Sequence, residues 1–110
     1  MTLFEKIIAR QIPASIVYQD DYVVAFRDIH PQAPFHLLVV PRKPIPRLSE
    51  AAPEDHALLG RCLDGARRAA AQEGVRSYRV VMNDGDDAGQ SVDHLHFHVL
   101  GGRKFAWPPG

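Results

Sequence analysis

Apolar and polar residues alternate strictly from His94 to Val99 in His94-Leu95-His96-Phe97-His98-Val99-Leu100. A strand sends successive side chains to opposite faces, so this period of two predicts a strand over 92–100. Leu95, Phe97 and Val99 would face a core, and three imidazoles would line the other face. Elsewhere the pattern changes period. Thr2 and Glu5 have the spacing of a capping box. They predict a short helix through Arg10, with Leu3, Phe4, Ile7 and Ile8 on its apolar side and Pro13 as its stop. Residues 15–19 and 22–27 read as two strands joined at Asp20-Asp21. The run His-Leu-Leu-Val-Val at 36–40 reads as a buried central strand.

A long helix is predicted from Pro53 to Glu73, with Gly74 in the position that favours a left-handed cap. Leu59, Cys62, Leu63, Ala66 and Ala70 would form its buried face. Arg61, Arg67 and Arg68 fall elsewhere and read as a solvated side. A strand over 78–83 follows, then a polar, glycine-containing loop, Asn83 to Ser91. Gly101-Gly102 breaks the histidine strand. The order α, ββ, β, α, ββ predicts one α+β domain over 1–110, with a mainly antiparallel sheet and helices packed on it.

Composition narrows the function. The chain has 110 residues, 13 basic and 13 acidic, and 45% of them are hydrophobic. Balanced charge argues against a nucleic-acid polymer or an anionic membrane as the main partner. No segment is long and apolar enough to span a bilayer, and no signal-peptide core is visible. Cys62 is the only cysteine, which reads as a small core residue and favours a reducing compartment. A cytoplasmic location is expected.

Three chemistries are open to the alternating histidines. A metal site is one, but imidazoles about 6.5–7 Å apart along a straight strand converge poorly on an ion whose bonds are about 2.0–2.1 Å. His36, on a neighbouring strand, could supply a third ligand. A merely solvated polar face is the second. Covalent catalysis at phosphorus is the third. A neutral imidazole is a competent nucleophile if its other ring nitrogen donates its proton to a fixed acceptor. Gly89-Gln90-Ser91 enters the strand directly and offers backbone N–H groups and a hydroxyl to phosphate oxygens.

The sequence His-φ-His-φ-His-φ-φ, with φ apolar, resembles the signature of the histidine triad superfamily. Gly89-Gln90-Ser91-Val92, His94 through Arg103 and Trp107-Pro108-Pro109-Gly110 resemble the end of its Hint branch. Phe4 to Ile8, Ile12-Pro13-Ala14, Ala25-Phe26, Asp28-Ile29 and Pro31-Gln32-Ala33-Pro34 resemble its first half.

The resemblance implies a five-stranded sheet with one long and one short helix. It also implies a homodimer, pairing through the long helix and a central strand into a ten-stranded sheet. The implied activity is hydrolysis of purine nucleoside 5′-phosphoramidates, with no cofactor or metal required. His96 would be the nucleophile at the α-phosphorus, and His98 would contact phosphate and assist the leaving group. His94, supported by His36, would orient the triad. Asn83, Gly89, Gln90 and Ser91 would hold phosphate and leaving group. Asp28 would accept from both ribose hydroxyls, as an ionised carboxylate can. Leu3, Phe4, Ile7, Phe26 and Ile29 would sandwich the purine, and Trp107 would reach the partner's site. A purine nucleotide-binding regulatory protein with incidental hydrolysis is the rival reading. Asp93, His30 and Phe35 depart from the family's usual residues, and His56 reads as an exposed helix residue.

Overall fold

A computed structural model describes residues 1–110. The short helix α1 spans Leu3–Ile8 and has both halves of the predicted capping box. It stops two residues before the expected Arg10, because Arg10 takes a left-handed backbone with φ 59°. Strands β1 (Ile16–Gln19), β2 (Val23–Arg27) and β3 (Phe35–Pro41) follow. The long helix α2 spans His56–Gln72 and is preceded by a 3-10 turn over Pro53–Asp55, which accounts for the predicted start at Pro53. Gly74 is left-handed at φ 72°, as a terminating glycine should be. Strands β4 (Tyr78–Met82) and β5 (Phe97–Gly101) complete the sheet.

The sheet order is β1-β2-β3-β5-β4, with every neighbouring pair antiparallel. After β3 the chain crosses over through α2 and forms edge strand β4. It then returns as β5 between β4 and β3. That return puts the histidine strand in the middle of the sheet.

Alternation divides the sheet into two packed faces. Val23, Ala25, Phe35, Leu37, Val39, Phe97 and Val99 meet Cys62, Ala66, Ala69 and Ala70 of α2. Small helix residues let the helix lie close: a Cβ added to Gly65 would come within 2.9 Å of Val23 Cγ2. The predicted helix face is rotated by this requirement. Leu63 is 49% exposed, and Ala69 takes a buried place instead. On the opposite face Val24, Phe26, Leu38 and Val40 pack against Phe4 and Ile7 of α1. The helix arginines are engaged: Arg67 and Arg68 pair with Asp64, and Arg61 lies 3.8 Å from the centre of the Tyr22 ring.

The regular histidine strand is shorter than the alternation predicts. It begins at Phe97, so His94 and His96 precede the ladder. Phe97 pairs with Val39, and the same register would bring Leu95 opposite Pro41. Proline has no N–H for the ladder. Leu95 instead donates its own N–H to the carbonyl of Ile45 at 2.7 Å. The alternation of faces survives this break. Leu95 still packs in the α2-side core, and Phe4 of α1 lies against the rings of His94 and His96.

Candidate active site

The site forms where α1 leaves part of its sheet face uncovered. A cleft of about 290 Å³ lies there. Leu3, Phe4, Ile7, Ile12, Pro13, Ala14, Phe26, Leu38 and Val92 supply apolar wall. Asp28, Ser91, His96 and His98 supply polar groups, with Arg27, Ile29 and His30 also in the lining. An apolar slot joined to a carboxylate and two imidazoles suits a flat apolar ring carrying a polar, hydrogen-bonding tail.

Hydrogen bonds assign the protons. Nδ1 of His96 lies 2.7 Å from the carbonyl oxygen of His94. A carbonyl only accepts, so Nδ1 carries the hydrogen and Nε2 keeps a lone pair. Likewise, Nε2 of His94 lies 2.8 Å from the carbonyl of Pro41 and must donate to it. Its Nδ1 is buried without a partner. His94 is fully buried, so it braces the chain behind the cleft and offers its own carbonyl to His96.

His98 and His36 are bonded to each other, Nδ1 to Nε2, at 2.9 Å. The adjacency of β3 and β5 makes this possible, since His98 sits opposite Leu38 and His36 opposite Leu100. Burial holds His36, His94 and His96 below the ordinary histidine value of 6.5. For His36 the charge of Asp28 works the other way. His98 is pushed down to about 4, first by burial and then by its neighbours His96 and His36. All four rings are therefore neutral near pH 7. The side chain of Asp28 accepts the N–H of His30 at 2.8 Å, and its other oxygen lies 3.4 Å from Nε2 of His36.

Asp28, His36 and His98 also bring one possible metal-ligand atom each within 4.8 Å of one another. The 2.9 Å approach of the two rings is a shared-proton contact. Two imidazoles on one tetrahedral zinc would stand about 3.3 Å apart, given Zn–N bonds of about 2.0–2.1 Å. The donor set is also different from the alternating triad, since His98 is the one residue common to both.

The other predicted site residues divide into two groups. Ser91 and Ile29 lie in the cleft wall with Leu3, Phe4, Ile7 and Phe26. Gln90 is buried and braces the loop: its side-chain amide donates to the carbonyls of Pro46 and Val92, and its oxygen accepts from Gly85. Gly89 is left-handed at φ 96°, and a Cβ there would come within 3.7 Å of the Asn83 amide. Asn83, Gly89 and Gln90 thus form the loop behind Ser91 and do not line the cleft. Trp107 is 82% exposed, outside the cleft of its own chain.

Of the departures, Phe35 is buried in the α2-side core, Asp93 pairs with Arg47 at 3.1 Å, and His30 lines the cleft. His56 is exposed at the start of α2. Leu38 and Val92 also line the cleft, although the sequence signalled only strand core at Leu38 and the start of the histidine strand at Val92.

Fold and site together define a histidine-triad type of α+β domain: adjacent central strands with paired imidazoles, a short helix over the cleft and a carboxylate in its wall. Comparison with known proteins agrees. The chain belongs to the HIT-domain family, whose profile matches residues 9–105. It is 57% identical to an uncharacterized HIT-like protein of Synechocystis, over 99% of this chain and 96% of that one. The crystal structure of a HIT family hydrolase from Legionella pneumophila superposes with a TM-score of 0.96 at 45% identity, covering 100% of both chains. A histidine triad protein from Clostridium difficile has a TM-score of 0.91 at 38% identity, covering 94% of this chain and 92% of that one.

Proposed function

We propose that this protein is a Hint-branch hydrolase of purine nucleoside 5′-phosphoramidates, acting through a nucleotidyl intermediate on His96. The single observation that carries the reading is the His96 hydrogen bond. With Nδ1–H held by the His94 carbonyl, Nε2 lines the cleft as a free lone pair on a rigid support. Similarity to a protein called a HIT family hydrolase supports a hydrolytic outcome.

In this reading the base lies between Leu3, Phe4, Ile7, Phe26 and Ile29, and Asp28 accepts from the ribose hydroxyls. His96 Nε2 attacks the α-phosphorus as the P–N bond to the leaving amine breaks. His98 hydrogen-bonds the departing nitrogen or a phosphoryl oxygen. The nitrogen takes one proton from solvent as it leaves. Water then splits the phosphorus–His96 bond, releases AMP or GMP and returns one proton, so the enzyme ends unchanged. Ser91 contacts the phosphate, and the Asn83–Gln90 loop keeps it in place.

The homodimer belongs to the same reading. Edge strand β4 leaves Tyr78 and Val80 exposed, and Leu63 stands exposed on α2. Pairing copies there would cover apolar surface and bring Trp107 toward the partner's cleft. The lone, buried Cys62 is in keeping with the cytoplasm.

The test is turnover of adenosine 5′-phosphoramidate by the wild-type protein and by His96→Ala. AMP release lost in the variant, with a trapped nucleotidyl group on wild-type His96, is the expected result. Full activity in His96→Ala would overturn the mechanism. Binding of AMP with no turnover of any phosphoramidate would favour the regulatory reading.

A further inference from the structure

The cleft needs a hydrogen-bond donor from His98, and a neutral imidazole can carry its proton on either nitrogen. What decides between them lies outside the triad. The backbone N–H of Gln32 points at Nδ1 of His36 at 3.0 Å. A peptide N–H can only donate, so Nδ1 of His36 must hold a lone pair and its proton must sit on Nε2. That proton faces Nδ1 of His98 at 2.9 Å. Nδ1 of His98 is therefore an acceptor, and the proton of His98 sits on Nε2.

The loop that presents Gln32 is held from behind. The guanidinium of Arg103 donates two bonds to the Gln32 carbonyl, at 3.1 and 3.3 Å. Gly102, left-handed at φ 86°, packs so closely that a Cβ there would stand 3.0 Å from Pro34 Cβ. The exposed Gln32 side chain donates to the His30 carbonyl at 3.0 Å and takes no part in the contact that its backbone N–H makes with His36.

We infer that the Pro31–Pro34 loop, clamped by Arg103 and Gly102, is a positioning device that locks His98 as a hydrogen-bond donor through His36. The proposal rests on the phosphoramidase reading for its consequence, but its first claim concerns the unliganded protein. Asp28 favours the same His36 tautomer from 3.4 Å. In the proposed complex its oxygens turn to the ribose, so Gln32 is the part of the lock that substrate leaves alone. The lock also excludes a second proton on His98, since Nδ1–H would meet Nε2–H of His36 head on.

The experiment replaces the Gln32 peptide N–H by an ester oxygen in the full-length chain and compares it with Gln32→Ala, which keeps the N–H. Histidine ¹⁵N spectra without substrate read the tautomers. The wild type and Gln32→Ala should show His36 and His98 both protonated on Nε2. The ester should populate Nδ1–H in both. With substrate, its kcat for an alkylamine leaving group should fall about tenfold or more. KM should change little, and an aryl ester whose phenolate leaves without the help of a hydrogen-bond donor should be spared. Arg103→Ala, at an exposed residue, should move the same readouts less, with Arg103→Lys restoring them. Nδ1–H on His98 in the wild type, or an ester that changes neither tautomer nor leaving-group dependence, would overturn the proposal. Correct tautomers in a protein that turns over no phosphoramidate would instead sink only the functional reading.

Discussion

Nδ1 of His96 donates to the carbonyl oxygen of His94, two residues back along the same chain, at 2.7 Å. The bond fixes the ring plane and frees Nε2, and it stabilises positive charge that develops on the ring when Nε2 forms a bond. Burial holds this imidazole below its ordinary 6.5, so acid should disable it late. The kcat/KM for a phosphoramidate should therefore keep more than half of its alkaline value at pH 6.5 and reach half-loss only below that. Half-loss at pH 6.5 or above would contradict the role of burial.

The same histidines should make folding sensitive to acid. His36, His94, His96 and His98 all bind protons more weakly folded than unfolded. On acidification the unfolded chain takes up protons first, so stability falls as pH falls. The contribution of His98 is complete above 6.5 and is lost toward its folded value of about 4. Melting temperature should drop across that window in wild type and drop less in His98→Asn. Equal slopes would remove His98 from the linkage.

Asp28 should discriminate sugars. Asp28→Ala is expected to weaken AMP binding by about 1.5–3 kcal/mol, the scale of hydrogen bonds to a charged group. Binding of the 2′,3′-dideoxy analogue should change far less. Calorimetry on the four pairs checks this, and equal losses would take Asp28 away from the ribose.

Two glycines of α2 should respond with opposite signs to the same substitution. Gly60 has open space around a Cβ, so Gly60→Ala should stabilise by about 0.5–1 kcal/mol through helix propensity. At Gly65 the added carbon would meet Val23, which is fully buried. Overpacking of about 1–3 kcal/mol should outweigh the propensity gain there. Urea unfolding of both variants decides, and stabilisation by Gly65→Ala would show that the helix can simply lift.

Removal of Trp107 to Gly110 should alter leaving-group preference more than purine preference, because Trp107 lies outside its own chain's base slot. Specificity constants for two amines and two purines measure the split. An unchanged profile would leave the tail with no part in selectivity.

Much of this molecule was legible along the chain. Local rules carry that information: a capping box needs only Thr2 and Glu5, and a strand's period needs only its own residues. Hence α1, the helix after Pro53, and the sorting of Leu95, Phe97 and Val99 from the histidines could be read from residue order. Tertiary structure decided what depends on partners far away. Pro41 shortened the histidine strand, and Val23 selected the small side of α2 over Leu63. Gln90 became a brace because Pro46 came within its reach. The proton positions were decided in the same way. His94 answers to Pro41, 53 residues away, and His98 to His36, 62 residues away. Sequence alone determined that imidazoles would share one face. Which nitrogen of each is free was settled by carbonyls and N–H groups that only the folded sheet brings alongside them.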